Sequence, residues 1–201
     1  GLAGKVILES GMIKSVRHIS FINIRLSHQV KGCCKKVLPY IINGNETFHT
    51  LIISPPRCGK TTLLRDMIRM LSDGFPGFKG NTIGVVDERS EIGACYKGVP
   101  QNDIGIRTDI LDCCPKSYGM LMLIRSMSPQ IIAVDELGGK KDFQAVEQAA
   151  CSGVRILGTV HADTVEELWE KPYLKKWMKR GIFERFILIR HNRSGERDFQ
   201  V

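Results

Sequence analysis

At 201 residues the chain exceeds the roughly 100–150 residues of a typical single domain but falls short of two, so one complete core and a smaller piece are expected. Hydrophobic residues at 43% and charged residues at 25% exclude a disordered chain. No apolar run reaches the roughly 18 residues of a membrane span, and no signal-peptide pattern stands at the start, so a cytoplasmic chain is expected. The net charge of +8 leaves nucleic acid or an anionic membrane surface open as partners.

Strand patterns open the chain: a run ending at Leu8, a turn at Glu9-Ser10-Gly11, Met12 to Val16, and Phe21 to Arg25. The first run reads as a strand already in progress, so a longer N-terminal region is expected upstream. A helix follows over Cys34 to Ile42, interrupted at Pro39, and Asn43-Gly44-Asn45 supplies a turn. Strand and helix then alternate. Strands are predicted at Leu51–Ile53, Thr82–Val86, Ile131–Val134 and Arg155–Val160, and helices at Thr61–Leu71, Tyr118–Met127, Asp142–Cys151 and Thr164–Lys179, the last broken at Pro172. Apolar strands joined by crossover helices imply a mostly parallel sheet with helices on both faces. Phe186 to Arg190, a turn over Asn192 to Gly195, and Phe199 to Val201 read as a closing hairpin. The division expected is 1–46, a small truncated N-terminal α+β piece with a linker, and 47–201, the core. Seven cysteines show no C-x-x-C spacing, so zinc is not expected and reduced, mostly buried thiols are. Between Lys171 and Asp198 stand nine basic and three acidic residues, a patch for an anionic partner or simply a solvated helix face.

Directly after Leu51-Ile52-Ile53 come Ser54, Pro55, Pro56, Arg57, Cys58, Gly59, Lys60, Thr61 and Thr62, and then an apolar helix. Strand, loop and helix in this order are the context of a phosphate-binding P-loop. Backbone N–H groups and the positive helix end cradle phosphates, Lys60 reaches the outer ones, and the Thr61 hydroxyl holds Mg²⁺. At about 4 Å and an effective dielectric near 20, each charge pair contributes roughly 4 kcal/mol before desolvation. Ser54 replaces the usual first glycine; a residue before proline is extended anyway, and serine accepts that conformation.

The strand Ile131–Val134 delivers Asp135 and Glu136 to its carboxyl end, the pattern of a Walker B strand in which Asp135 holds Mg²⁺ and Glu136 polarises the attacking water. Thr82–Val86 leads likewise to Asp87 and Glu88, which would add acids to the metal and phosphate site. Arg155–Val160 ends in His161, placed to bond a phosphate or to sense which nucleotide is bound. An arginine near the γ-phosphate is also needed, from this chain or a neighbour; Arg107 is the first candidate, followed by Arg25 and Arg89.

This order of boxes, with Gly105 to Leu111, Tyr118 to Pro129, Phe21 to Arg25 and Lys31-Gly32-Cys33, resembles the stage III sporulation AA family of secretion- and pilus-type (type II and type IV) ATPases. The resemblance covers almost the whole chain, although that family has a longer N-terminal region. It implies a RecA-like α/β P-loop core, ATP and Mg²⁺ as cofactors, ATP hydrolysis, a homo-hexamer, and membrane-embedded sporulation channel proteins that recruit the chain to a membrane, with nucleic acid not expected. Two other functions fit the residues: a nucleic-acid-dependent motor, from the basic stretch, and a nucleotide-binding assembly scaffold with little turnover.

Overall fold

The computed structural model describes residues 1–24, 28–191 and 197–201. The first two strands, β1 (Leu2–Glu9) and β2 (Met12–Ile22), form an antiparallel hairpin of their own. Because β2 runs unbroken through Ile22, the break expected after Val16 is absent. Most of its apolar side chains, Leu8, Met12, Ile13 and Phe21 among them, are exposed.

The stretch predicted as one helix from Cys34 is mostly turns, with only α1 (Leu38–Ile41) helical, followed by the short pair β3 (Ile42–Asn43) and β4 (Glu46–Thr47). Its apolar residues still serve the core: Cys34, Val37, Leu38 and Ile41 are buried.

The core alternates as the apolar spacing requires: β5 (Thr50–Ser54), α2 (Lys60–Asp73), β6 (Ile83–Asp87), β7 (Thr108–Asp112), α3 (Lys116–Ser126), β8 (Ile131–Val134), α4 (Lys140–Cys151) and β9 (Arg155–His161). A 3₁₀ turn (Glu166–Trp169), α5 (Pro172–Arg180), β10 (Arg185–His191) and β11 (Arg197–Gln200) complete it. Pro172 begins α5 where its missing N–H costs nothing. Strand β7 was not expected; its Thr108, Ile110, Leu111 and Asp112 are only half-buried, so its apolar signal is weak. The seven strands lie in the order β11-β10-β5-β9-β8-β6-β7, all parallel except β11. The predicted turn at Asn192 to Gly195 lies outside the described residues.

Strand alternation divides the core into two faces. Leu51, Ile53, Ile132, Val134 and Ile156 pack with residues of α3, α4 and α5, whereas Ile52, Ile83, Val85, Ile131, Ala133 and Leu157 pack with α2 and the Cys34–Ile41 stretch. On α5, Leu174 and Trp177 face inward while Lys175, Lys176, Lys179 and Arg180 stay exposed, a solvated basic face. Among the cysteines only Cys34 is fully buried; Cys113 and Cys151 are exposed and the rest half-buried, so the expectation of mostly buried thiols is corrected. Among the described residues no helix is long and apolar enough to cross a membrane.

Two polar residues tie α2 to its surroundings. The buried Asp66 carboxylate accepts the Cys34 N–H at 2.9 Å and the Arg69 guanidinium at 2.7 Å. Arg65 donates to the carbonyls of Ile92 at 2.7 Å, Glu91 at 2.5 Å and His28 at 3.2 Å. Burial alone would raise the Asp66 pKa, but the Cys34 N–H and Arg69 pull it below the ordinary carboxylate range. Asp66→Ala leaves a buried N–H and a guanidinium without their acceptor, and should cost about 2–4 kcal/mol in chemical denaturation. Because the folded pKa is depressed, that contribution is complete above the ordinary carboxylate pKa and is lost as the pH falls through the folded value. The gap between variant and parent should therefore narrow in acid.

Candidate nucleotide-binding site

Strand β5 ends at Ser54, extended and fully buried beside its parallel neighbour β9, where Ser54 is in register with His161. The chain then turns through residues 55–59 into α2. Arg57 (φ 64°) and Gly59 (φ 96°) take left-handed conformations, which at Gly59 only glycine adopts without strain. Lys60 opens the helix with its ammonium almost sealed from solvent. Its Nζ donates to the carbonyls of Ser54 (3.0 Å) and Pro55 (2.9 Å) and to Ser54 Oγ (3.3 Å), and it meets His161 Nδ1 at 2.9 Å. Burial lowers the Lys60 pKa, offset in part by Asp135 and Glu136.

Across the loop stands the carboxyl end of β8. The Thr61 hydroxyl donates to Asp135 Oδ2 at 2.5 Å, and the Thr159 hydroxyl donates to Asp135 Oδ1 while accepting the Glu136 N–H at 2.9 Å. Glu136 leaves the strand with φ 54°, a left-handed non-glycine conformation of the kind that costs about 1–3 kcal/mol and clusters at functional sites. Its carboxylate meets His161 Nε2 at 3.1 Å and Arg89 Nη1 at 2.7 Å. A charged Lys60 donates to Nδ1 of His161, and the tautomer that satisfies both contacts carries its proton on Nε2, facing Glu136. Burial pushes the Glu136 pKa up, but the His161 hydrogen bond and the Arg89 charge outweigh it and hold the group below the ordinary carboxylate range. A cleft of about 430 Å³ opens beside Glu136 and His161, lined also by Lys171 and Tyr173 at the start of α5.

Two of the expected site residues, Asp87 and Arg107, are engaged by other parts of the chain. Asp87 borders a second, smaller recess that shares Glu136 with the cleft, and its carboxylate accepts the N–H groups of Glu91 (2.9 Å), Ile92 (2.9 Å) and Gly93 (2.8 Å). It holds its own loop closed instead of offering free oxygens to a metal, and burial raises its pKa despite those donors. Arg107 stands at the opposite edge of the sheet. Its Nη1 donates to the Ser72 and Asp73 carbonyls at the last turn of α2, roughly 20 Å along that helix from the loop. There it satisfies carbonyls at the negative helix end and does not reach the site of its own chain. Arg25 lies outside the described residues. Glu88 lines that smaller recess beside Glu136 and pairs with Lys116 at the start of α3.

Sequence reasoning missed Thr159, Lys116 and the pairing of Arg89 with Glu136. Thr159 had a signal, a hydroxyl two residues before His161 in an apolar strand; for Lys116 and Arg89 the partner comes from a distant part of the chain. The Thr61 hydroxyl and the Asp135 carboxylate are hard oxygen donors already at contact distance. They fit Mg²⁺, which takes few protein ligands and completes its shell with phosphate and water.

A seven-stranded, mostly parallel sheet with a P-loop beside two carboxylates defines a P-loop ATPase fold. Solved structures agree. The chain matches the ATPase DotB of Legionella pneumophila at a TM-score of 0.61 and 16% identity, covering 85% of this chain and 49% of that one. It matches the pilus retraction motor PilT with bound ADP at a TM-score of 0.59 and 16% identity, covering 84% and 50%. The chain belongs to the family described as Sporulation stage III, protein AA, whose model matches residues 1–198. It is 43% identical over 187 residues to the stage III sporulation protein AA of Bacillus subtilis (strain 168), covering 93% of this chain and 61% of that protein. The chain thus spans about three fifths of that relative's length.

If Arg107 serves α2 and not the chemistry of its own chain, Arg107→Ala should lower the melting temperature by several degrees, equivalent to about 1–2 kcal/mol, and leave nucleotide affinity unchanged. A lost affinity with unchanged melting would return it to the site.

Proposed function

We propose that the chain binds Mg-ATP on its P-loop and hydrolyses it, as a secretion-type ATPase that powers or assembles a sporulation membrane channel. The observation that carries this reading is the chain of contacts Lys60–His161–Glu136, running beside the Thr61–Asp135 hydrogen bond. It links the phosphate lysine, the metal oxygens and a carboxylate kept ionised by its neighbours. Lys60 now bonds its own loop; an incoming triphosphate supplies better acceptors and draws it outward, which releases Nδ1 of His161 from the lysine. Glu136, held by His161 and Arg89, orients and polarises the attacking water. Glu88 and Lys116 flank this water's approach. Thr61 and Asp135 would hold Mg²⁺, whose charge would offset that of the outer phosphates.

The family supports a sporulation role, and the secretion-type fold supports a homo-hexameric ring recruited to a membrane from the cytoplasm by membrane-embedded partners. A second reading has its own support: two partners already occupy the Glu136 carboxylate, which suits a nucleotide-binding scaffold with slow turnover.

Phosphate-release and fluorescent-nucleotide assays test both. Lys60→Ala should abolish binding, whereas Glu136→Gln should bind as the parent does and lose turnover by about a hundredfold or more. Undiminished turnover in Glu136→Gln would refute the role given to that carboxylate. A parent chain that binds ATP without turnover, even with the cytoplasmic segments of membrane partners, favours the scaffold, and stimulation by DNA or RNA instead favours a nucleic-acid motor.

A further inference from the structure

The hairpin of β10 and β11 returns the chain to the P-loop. Arg197 opens β11 opposite His191, at the carboxyl end of the sheet, three positions beyond the pairing of Leu188 with Ile53. Its guanidinium lies against Gly59: a Cβ on that glycine would meet Cζ at 2.6 Å, Nη2 at 2.8 Å and Nε at 2.9 Å. Gly59 is therefore required twice, for its left-handed backbone and for the room it leaves this side chain. Two residues along the same strand face, Phe199 packs against the α2 side of the core, in the cluster that also takes in Cys33 and Cys58. That anchor sets the reach of Arg197. Its position is felt at Cys33, where burial raises the thiol to about 11 while the Arg197 charge pulls the other way. Arg197 is nonetheless exposed, and among the described residues no carboxylate or carbonyl pairs with its guanidinium. A cation with no partner among the described residues is thus held against Gly59, in a loop built for phosphate.

The strand order indicates which phosphate. Asp135, Glu136 and His161 stand on the β8 and β9 side of β5, so the γ-phosphate points there, whereas β10 and β11 stand on the other side. The rest of a nucleotide on this loop runs toward them.

We propose that Arg197 is a nucleotide-binding residue supplied in cis by the C-terminal hairpin, and that it pairs with the inner phosphates shared by ADP and ATP. The proposal rests on the P-loop reading above. It differs from an arginine serving the transition state, because it acts on ground-state affinity and leaves the γ-phosphate to the other side of the sheet.

The test is titration of the full 201-residue chain with fluorescent ADP and ATP, comparing the parent with Arg197→Ala, Arg197→Gln, Arg197→Lys and Lys60→Ala. A charge-assisted hydrogen bond corresponds to about a tenfold to hundredfold change in affinity. Arg197→Ala and Arg197→Gln should lose that factor for ADP and ATP alike and melt as the parent does without nucleotide, and Arg197→Lys should recover part of it. If Lys60→Ala loses binding while both neutral Arg197 variants bind like the parent, or more tightly, the assignment of Arg197 fails and the P-loop reading stands. Loss confined to ATP would overturn the assignment to inner phosphates. If Lys60→Ala binds like the parent, the P-loop reading fails and this inference with it.

Discussion

The site is organised around one buried charge. An ammonium this deeply enclosed is tolerated only where oxygens and a lone pair replace its water, and Lys60 finds them in the Ser54 and Pro55 carbonyls, the Ser54 hydroxyl and His161 Nδ1. Those partners come from the end of β5, the loop after it and the end of β9. The neighbouring positions of these two strands in the sheet are thus what makes the charged loop stable. The same ring turns its other nitrogen to the Glu136 carboxylate at 3.1 Å.

Strand β9 is the connecting element. It lies between the P-loop strand β5 and the acidic strand β8, and its last residues face both. Thr159 bridges the Asp135 carboxylate and the Glu136 N–H, and His161 bridges Lys60 and the Glu136 carboxylate. Two side chains at alternate positions of one strand point to the same side of the sheet, so a single imidazole joins Lys60 to the Glu136 carboxylate. Arg89 completes this arrangement from the loop after β6, whose closure depends on Asp87.

Helix α2 carries that coupling outward. Its first turn carries Lys60 and Thr61, while Arg65 grips the backbone at Glu91 and Ile92 and also at His28, and Asp66 grips the backbone at Cys34. Buried, charge-assisted bonds resist independent movement of these segments. A shift at the loop therefore reaches both the stretch that presents Arg89 and the segment that leads toward the N-terminal hairpin.

Local chemistry was enough to read the parallel sheet and to single out the residues that meet at the ends of its strands, because each signal is written in contiguous residues: Gly59-Lys60-Thr61 after an apolar strand, and Asp135-Glu136 after another. Apolar runs also located β6, β8 and β9, and Pro172 marked the start of α5. The roles of Asp87, Arg107 and Arg197 were decided elsewhere. An acidic residue after an apolar strand looks the same whether its oxygens meet a metal or three N–H groups of its own loop. An arginine in a glycine-rich loop looks the same at either edge of the sheet. Strand order and hairpin return, which no local pattern encodes, placed Arg107 at the foot of α2 and Arg197 against Gly59. Sequence determined which groups could do the chemistry; tertiary structure decided which were left with unpaired atoms and brought within reach of the loop, since hydrogen-bond satisfaction depends on neighbours distant along the chain.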